Sequence, residues 1–255
     1  MAIRYATGWK PDRLDHRDLI YTPPSAVDPS TSIDLRPLMP PIYDQGQLGS
    51  CVGNGTAAAF EYALGRESAR HIFTPSRLFI YYNARALEGT TNQDAGCEIR
   101  DAVKSLNAVG VIPESEWPYD ANQFAAHPPA SLYPEAMKSR LVTYARVGQS
   151  AEHILACLTH HGPVVFGSSV FSAINDAPGG HIPMPRYDDQ PEGGHCMVIV
   201  GWKPDSHEYI IRNSWGTEWG DAGYGYMPAA YIHNSSLTDD LWVLWLVEKD
   251  KAEAA

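Results

Sequence analysis

The chain has 255 residues, of which 44% are hydrophobic and 19% charged, with 21 Gly and 20 Pro. That is length and apolar material for a sizeable core, in one large domain or two small lobes, and it excludes collagen-like, coiled-coil and wholly disordered chains. Thirty acidic residues oppose 19 basic ones, a formal charge of -11 with no run of Lys and Arg, so neither nucleic acid nor an acidic membrane surface is an expected partner.

Residues 1–41 contain Pro11, Pro23, Pro24, Pro29, Pro37, Pro40 and Pro41, which break helices and central strands, so this stretch is expected to run extended over a surface. Its start, MAIRYATGWKPDRLDHRD, has a Pro and several charges where a Sec-type signal needs about 7 to 15 apolar residues. A cytoplasmic location, or export by a route without a Sec signal, is the expectation. Helices are predicted from Cys51 to Arg66, with Thr56, Ala59, Phe60, Ala63 and Leu64 on one face, from Pro75 to Leu87 behind a Thr74 cap, and from Ile99 to Ala108. Gly53 and Gly55 inside the first of these each cost about 1 kcal/mol relative to Ala, which points to a close neighbour or a local weakness.

Pro113 to Pro134 reads as a long ordered loop. From Gly162 the pattern turns to strands, PVVFGSSV, HCMVIVGW, YIIRNSW and LWVLWLV, with Asn175 to Gly194 an exposed loop leading into the second. The last of these runs, Leu241 to Val247, is far short of the roughly 20 residues that span a bilayer and reads as a buried strand. Helices first and strands second predict an α+β architecture of two lobes. The expected layout is an N-terminal extension or short prosegment at 1–30 and a domain at 31–255. Within that domain a helical lobe is expected at about 45–140, a β-rich lobe at about 141–235 and a C-terminal strand at 241–248.

Four cysteines, Cys51, Cys97, Cys157 and Cys196, are widely spaced without a C-x-x-C pair, which suggests neither a zinc ribbon nor a dense disulfide scaffold and favours a reducing compartment. Cys51 lies where a Gly-containing loop, YDQGQLGSC, runs into a helix, and a helix N-terminus favours the thiolate. Taken alone, an inert buried thiol is the alternative. His195 begins one apolar strand and Asn213 ends the next, so a hairpin brings them together; His195 then exchanges the thiol proton while the Asn213 amide oxygen holds the other ring nitrogen. Gln45, six positions before Cys51, can place its amide NH2 beside the Cys51 backbone N–H as an oxyanion hole. Cys196 adjoins His195, but alternation along a strand turns neighbours to opposite faces, so Cys196 is expected in the core. The scattered histidines, His160 and His161 among them, lack ligand spacing. No metal and no cofactor is expected.

The segments DQGQLGSC, IRDAVKSLNAVGVIPESEWPYD, GGHCMVIVGW and RNSWGTEWGDAGYGY, in that order, resemble the papain-like cysteine peptidases, specifically their compact bacterial branch, over roughly residues 33 to 230. His195 follows Cys51 by 144 residues, inside the family's approximate 130 to 150, while Asn213 follows by 162, an excess attributed to loop insertion. The resemblance implies a papain-like two-lobed fold, with a helical left lobe, a β-barrel-like right lobe and the active-site cleft between. It makes Cys51 the nucleophile, His195 the base, Asn213 the orienting residue and Gln45 the oxyanion donor, with Gly49, Ser50, Gly96, Gly194, Trp215 and Trp219 on the substrate cleft. Trp215 and Trp219 would shield the His195 to Asn213 contact from water. An extended polypeptide is the implied substrate.

The implied activity is that of a cysteine endopeptidase working through a thioester; acyl transfer or deamidation by the same triad, and a binding protein with a blocked cleft, are the alternatives. This chain reads Leu48-Gly49-Ser50-Cys51-Val52 where the family usually reads C-G-S-C-W, so the family's disulfide framework does not transfer. Only about 30 residues precede the catalytic core, too few for the family's helical prosegment. Residues 8–25 are expected to lie on the body as an autoinhibitory contact, because Trp9, Leu14, Leu19, Ile20 and Tyr21 need burial.

Overall fold

The Pro-rich start contributes only two short strands, β1 (Trp9–Lys10) and β2 (Ile33–Asp34). The helical part follows: α1 (Cys51–Glu67), α2 (Arg77–Glu88), β3 (Cys97–Glu98) and α3 (Ile99–Ala108). This computed structural model describes residues 4–67 and 72–249; residues 1–3, 68–71 and 250–255, which include the outer ends of the expected extension and domain, lie outside the described residues.

The cap of α2 is Ser76, not Thr74: its Oγ accepts the Phe79 N–H at 3.2 Å, and Gly89 ends the helix at φ 71°. Nor does α1 have one apolar face. Val52, Ala57, Ala58, Ala59, Phe60 and Leu64 are all buried, because α2 and α3 pack on one side of the helix and the sheet on the other. Its glycines serve that packing. A Cβ on Gly53 would stand 2.8 Å from the Arg77 carbonyl oxygen, and one on Gly55 3.0 Å from the Cys196 sulfur.

After α4 (Tyr133–Ala136), the chain forms β4 (Ser139–Arg146), α5 (Ala151–His160), β5 (Val164–Val170), β6 (Gly193–Lys203), β7 (Glu208–Arg212), β8 (Tyr224–Pro228), α6 (Ala229–Ile232) and β9 (Thr238–Lys249). The strands make one antiparallel sheet in the order β4-β9-β5-β6-β7-β8, with β2 added to β6. This is an α+β fold. Along β6, Cys196, Val198 and Val200 join the core under the helices, while Met197 and Ile199 join a second core on the other face, against α5. Both faces are therefore covered, which is why this strand reads as an unbroken apolar run. A fully buried side chain of this size contributes about 1.5–3 kcal/mol.

One irregularity positions a charge. Between the pairs Val165↔Trp242 and Gly167↔Asp239, a single residue of β5 faces two of β9, and Asp240 in that bulge takes φ 55°. Asp tolerates the left-handed region better than most residues, and a bulge re-aims the side chain it carries.

Candidate active site

The N-terminus of α1 is braced before it carries any chemistry. Both carboxylate oxygens of Asp94 accept the Gly49 N–H at 3.1 Å, and Ser50 Oγ meets Tyr119 Oη at 2.5 Å and the Asn54 amide at 3.1 Å. These contacts seat Cys51, fully buried, against β6, where the Cys196 N–H donates to its sulfur at 3.4 Å.

His195, the residue before, is held from the far side of its ring. Its Nε2 lies 2.8 Å from Asn213 Oδ1 across the β6–β7 hairpin. That oxygen also accepts the Ser214 N–H at 2.8 Å, a group that can only donate, so the atom is the amide oxygen and Nε2 must carry the ring proton. Nδ1 is left as the lone-pair nitrogen, buried and without a hydrogen-bond partner. Trp215 stacks on the imidazole at 4.4 Å between centroids, and Trp219 meets Trp215 edge-on at 5.7 Å. Gln45 is fixed by Ser214 Oγ, which donates to its Oε1 at 2.6 Å, leaving Nε2 to donate to Leu48 O at 2.9 Å and outward into the groove.

The groove is occupied by a strap from the chain's own N-terminal region, Tyr5–Lys10. Tyr5 stacks on Trp215 at 4.4 Å, and the Ala6 carbonyl accepts from Gln45 Nε2 at 3.1 Å. Gly8 donates to Gly194 O and accepts from the Cys97 N–H, both at 2.9 Å. From there β1 runs parallel to β3. A Cβ on Gly8 would collide with the Gly49 carbonyl oxygen, and one on Gly96 with the Gly8 carbonyl, so only glycines permit this approach. Trp9 fills a pocket walled by Gly167 and Gly194, its Nε1–H donating to Asp240 Oδ2 at 3.1 Å.

Beyond Trp9 the strap is held by charge rather than by the apolar burial expected of it. Tyr21 is buried, but Leu14 is 84%, Leu19 57% and Ile20 58% exposed. In their place Asp18 pairs with Arg100 at 2.7 Å and Asp12 with Arg146 at 2.8 Å. The cleft itself is filled by Tyr5–Lys10, nearer the terminus than the segment 8–25 expected to cover it.

Enclosure sets the protonation of the site. Burial pushes the Cys51 thiol up to about 11, against the backbone N–H groups of Cys196 and Gly8, which pull it down. Burial likewise drives His195 down to about 4, with the Asn213 hydrogen bond opposing. Under the strap the pair is a neutral thiol beside a neutral imidazole.

A family model described as papain family cysteine protease matches residues 24–241. The chain belongs to the papain family. An uncharacterized peptidase C1-like protein of Acanthamoeba polyphaga mimivirus is 38% identical over 212 residues, 79% of this chain and 68% of that protein. A cysteine protease of Blomia tropicalis is 27% identical over 203 residues, 76% of this chain and 58% of that one. Among solved structures, Xylellain, a cysteine protease from Xylella fastidiosa, superposes with a TM-score of 0.89 at 39% identity, covering 95% of this chain and 97% of its own. Digestive procathepsin L 3 of Tenebrio molitor, at TM-score 0.72 and 20% identity over 90% of this chain and 75% of that one, shares the fold. This papain-family chain is a cysteine peptidase.

Two of the expected cleft residues do not line the groove. Ser50 spends its hydroxyl on Tyr119 and Asn54, and Trp219 donates its Nε1–H to Ile174 O at 2.9 Å beneath Trp215, so both support the site from behind. Gly49, Gly96, Gly194 and Trp215 do touch the strap. All four cysteines are free, so this member of the papain family holds no disulfide. Asp94, Tyr119, Ser214 and Asp240 were not anticipated; Tyr119, inside WPYD, and Ser214, inside RNSWG, lie in segments the sequence singles out, whereas Asp94 and Asp240 do not.

Proposed function

We propose that the chain is a latent cysteine endopeptidase using Cys51, His195, Asn213 and Gln45, kept idle by its own N-terminal strap. The observation that carries this reading is the Ala6 carbonyl on Gln45 Nε2, a peptide carbonyl lodged where an oxyanion would be stabilised. With the strap withdrawn, water reaches the thiol and imidazole, their proton affinities move toward each other, and His195 Nδ1 takes the Cys51 proton. The sulfur attacks the substrate carbonyl carbon. Charge gathers on the oxygen beside Gln45 Nε2 and the Cys51 backbone N–H, and His195 returns its proton to the departing amine, leaving a thioester that water hydrolyses with His195 again as base.

The polarity of the strap accounts for its survival. A productive peptide must place its leaving nitrogen on the imidazole side of the bound carbonyl. The residue on the side of Trp215, which stacks on that imidazole, is here Tyr5, the N-terminal neighbour of Ala6. The strap therefore runs opposite to a substrate, and the Thr7 nitrogen is offered away from the general acid.

The test is hydrolysis of an internally quenched peptide library by the full chain, by Gly8→Ala, which obstructs docking of the strap, and by Gly8→Ala with Cys51→Ser. Slow turnover by the first, faster turnover by the second and none by the third support the reading. Amine transfer or side-chain deamidation without internal cleavage refutes the endopeptidase assignment, and absence of Cys51-dependent turnover in the released form leaves a binding protein.

A further inference from the structure

Two carboxyl groups meet beneath the strap, and this inference rests on the strap-inhibited reading above. Asp12 on the strap and Asp240 on β9 each contact the same guanidinium nitrogen of Arg146, Nη2, at 2.8 Å. Their side chains are 0% and 2% exposed. The bulge of β9 turns Asp240 toward the strap, where its Oδ2 also accepts the Asp12 N–H at 2.7 Å and the Trp9 indole N–H. Asp12 in turn accepts the Arg100 N–H at 3.0 Å and the Trp242 indole N–H at 2.8 Å.

The surrounding charges do not balance. Facing the pair are Asp239, 3.4 Å from Arg146, and Asp18, 3.6 Å from Arg146 and bonded to Arg100. Glu98 stands 3.8 Å from Arg100, the Cys196 thiol faces the pair from β6, and Asp15 and His16 line the same cavity. Arg13, on the strap, stands 3.3 Å from Glu98, so among the described residues Arg13, Arg100 and Arg146 stand against Asp12, Asp18, Asp239, Asp240 and Glu98.

We propose that docking of the strap takes up one proton from solvent onto the Asp12 carboxyl, packed beside the Asp240 carboxylate on the same Arg146 nitrogen, so that the cleft is held shut in acid and loosens as the pH rises to neutrality. Burial first, and the Asp240 charge second, push the docked Asp12 carboxyl up to about 7, against the hydrogen bonds from Arg100 and Trp242 and the charge of Arg146. Released into water, Asp12 returns to the ordinary carboxylate range near 3.9. Because the docked form binds the proton more tightly, the stabilisation is full below about pH 4, fades by up to about tenfold per pH unit between about 4 and 7, and is gone above that. Asp15 does not cancel this: its carboxyl is held low chiefly by Arg17, a partner on the strap that travels with it.

The test is amide hydrogen exchange of the full chain followed by NMR across pH 5 to 8, with intrinsic rates divided out, at the Gly8 and Cys97 amides that join strap and body. In the parent protein, protection at both is expected to fall by up to about tenfold per unit up to about pH 7 and then level. In Asp12→Asn, which cannot ionise, the fall should be absent, and Asp240→Asn should flatten it independently should the first variant fold poorly. Protection that is present but indifferent to pH, or a slope that persists in both variants, overturns the proton latch and spares the strap. Absence of protection at Gly8 at every pH overturns both.

Discussion

Gly8→Ala puts the strap to its severest test with one methyl group. The new Cβ has no room, because it meets the carbonyl oxygen of Gly49, and Gly49 cannot retreat while both Asp94 oxygens hold its N–H at 3.1 Å. The strap must lift over Cys51. Forcing an extra methyl into a packed site costs about 1–3 kcal/mol, and the two main-chain bonds of Gly8, both 2.9 Å, are stretched or lost at about 1 kcal/mol each. Docking is weakened by about 3–5 kcal/mol in all, which at 1.36 kcal/mol per decade is about 150- to 5000-fold more open enzyme. Alkylation of Cys51 by iodoacetamide reads that population, since the closed thiol is buried, and the variant should react faster by that factor until opening saturates. A rate within about threefold of the parent, in a protein of unchanged circular dichroism, refutes the claim that the strap governs access.

Other outcomes follow from the same geometry. In the strap-released enzyme, Gln45→Ala should lower kcat by about 100- to 1000-fold with little change in KM, as expected for a donor that acts on the developing oxyanion; steady-state kinetics decide this. Arg100→Met leaves the Asp18 carboxylate with Arg146 alone, at 3.6 Å, in place of a partner that is 4% exposed and 2.7 Å away, and should accelerate Cys51 alkylation at least about tenfold, since losing a buried partner costs up to about 3–5 kcal/mol. With Cys51 near 11 and His195 near 4, the resting protein should show no thiolate absorbance from about pH 5 to about 9 relative to Cys51→Ser. Gly8→Ala should gain that absorbance, because hydration lowers the thiol and raises the imidazole. Phe60→Ala, buried in α1, should cost about 3–5 kcal/mol in urea unfolding while leaving the residual alkylation chemistry in place.

What the sequence discloses and what it hides divide along physical lines. Strands β5, β6, β7 and β9 are visible because burial on both faces leaves unbroken apolar runs, and α3 is visible from its cap-to-cap apolar pattern. The short β8, YGYMP, and the charged β4, SRLVTYAR, carry no comparable signature, since their pairing is decided by neighbours far along the chain. Around Cys51, the residues in short ordered segments could be read out, and their geometry follows from one helix start and one hairpin. Asp94 and Asp240 could not, because each acts through a loop or bulge whose position only tertiary pairing sets. The strap was half legible. Its apolar residues announced a docking segment, but Leu14, Leu19 and Ile20 misled about the means, which are the guanidinium groups of Arg100 and Arg146.

The occupant of the groove is tied to the enzyme it is proposed to block. A tethered blocker has an effective concentration fixed by the length of its leash, of millimolar order for short flexible connections, and dilution leaves that concentration untouched. A peptide in solution therefore competes against a rival that never diffuses away, and its apparent affinity is multiplied by the fraction of molecules whose groove stands empty. On the proposed reading every peptide is discounted by that same factor, so the strap raises the concentration at which turnover begins without changing which peptide is preferred.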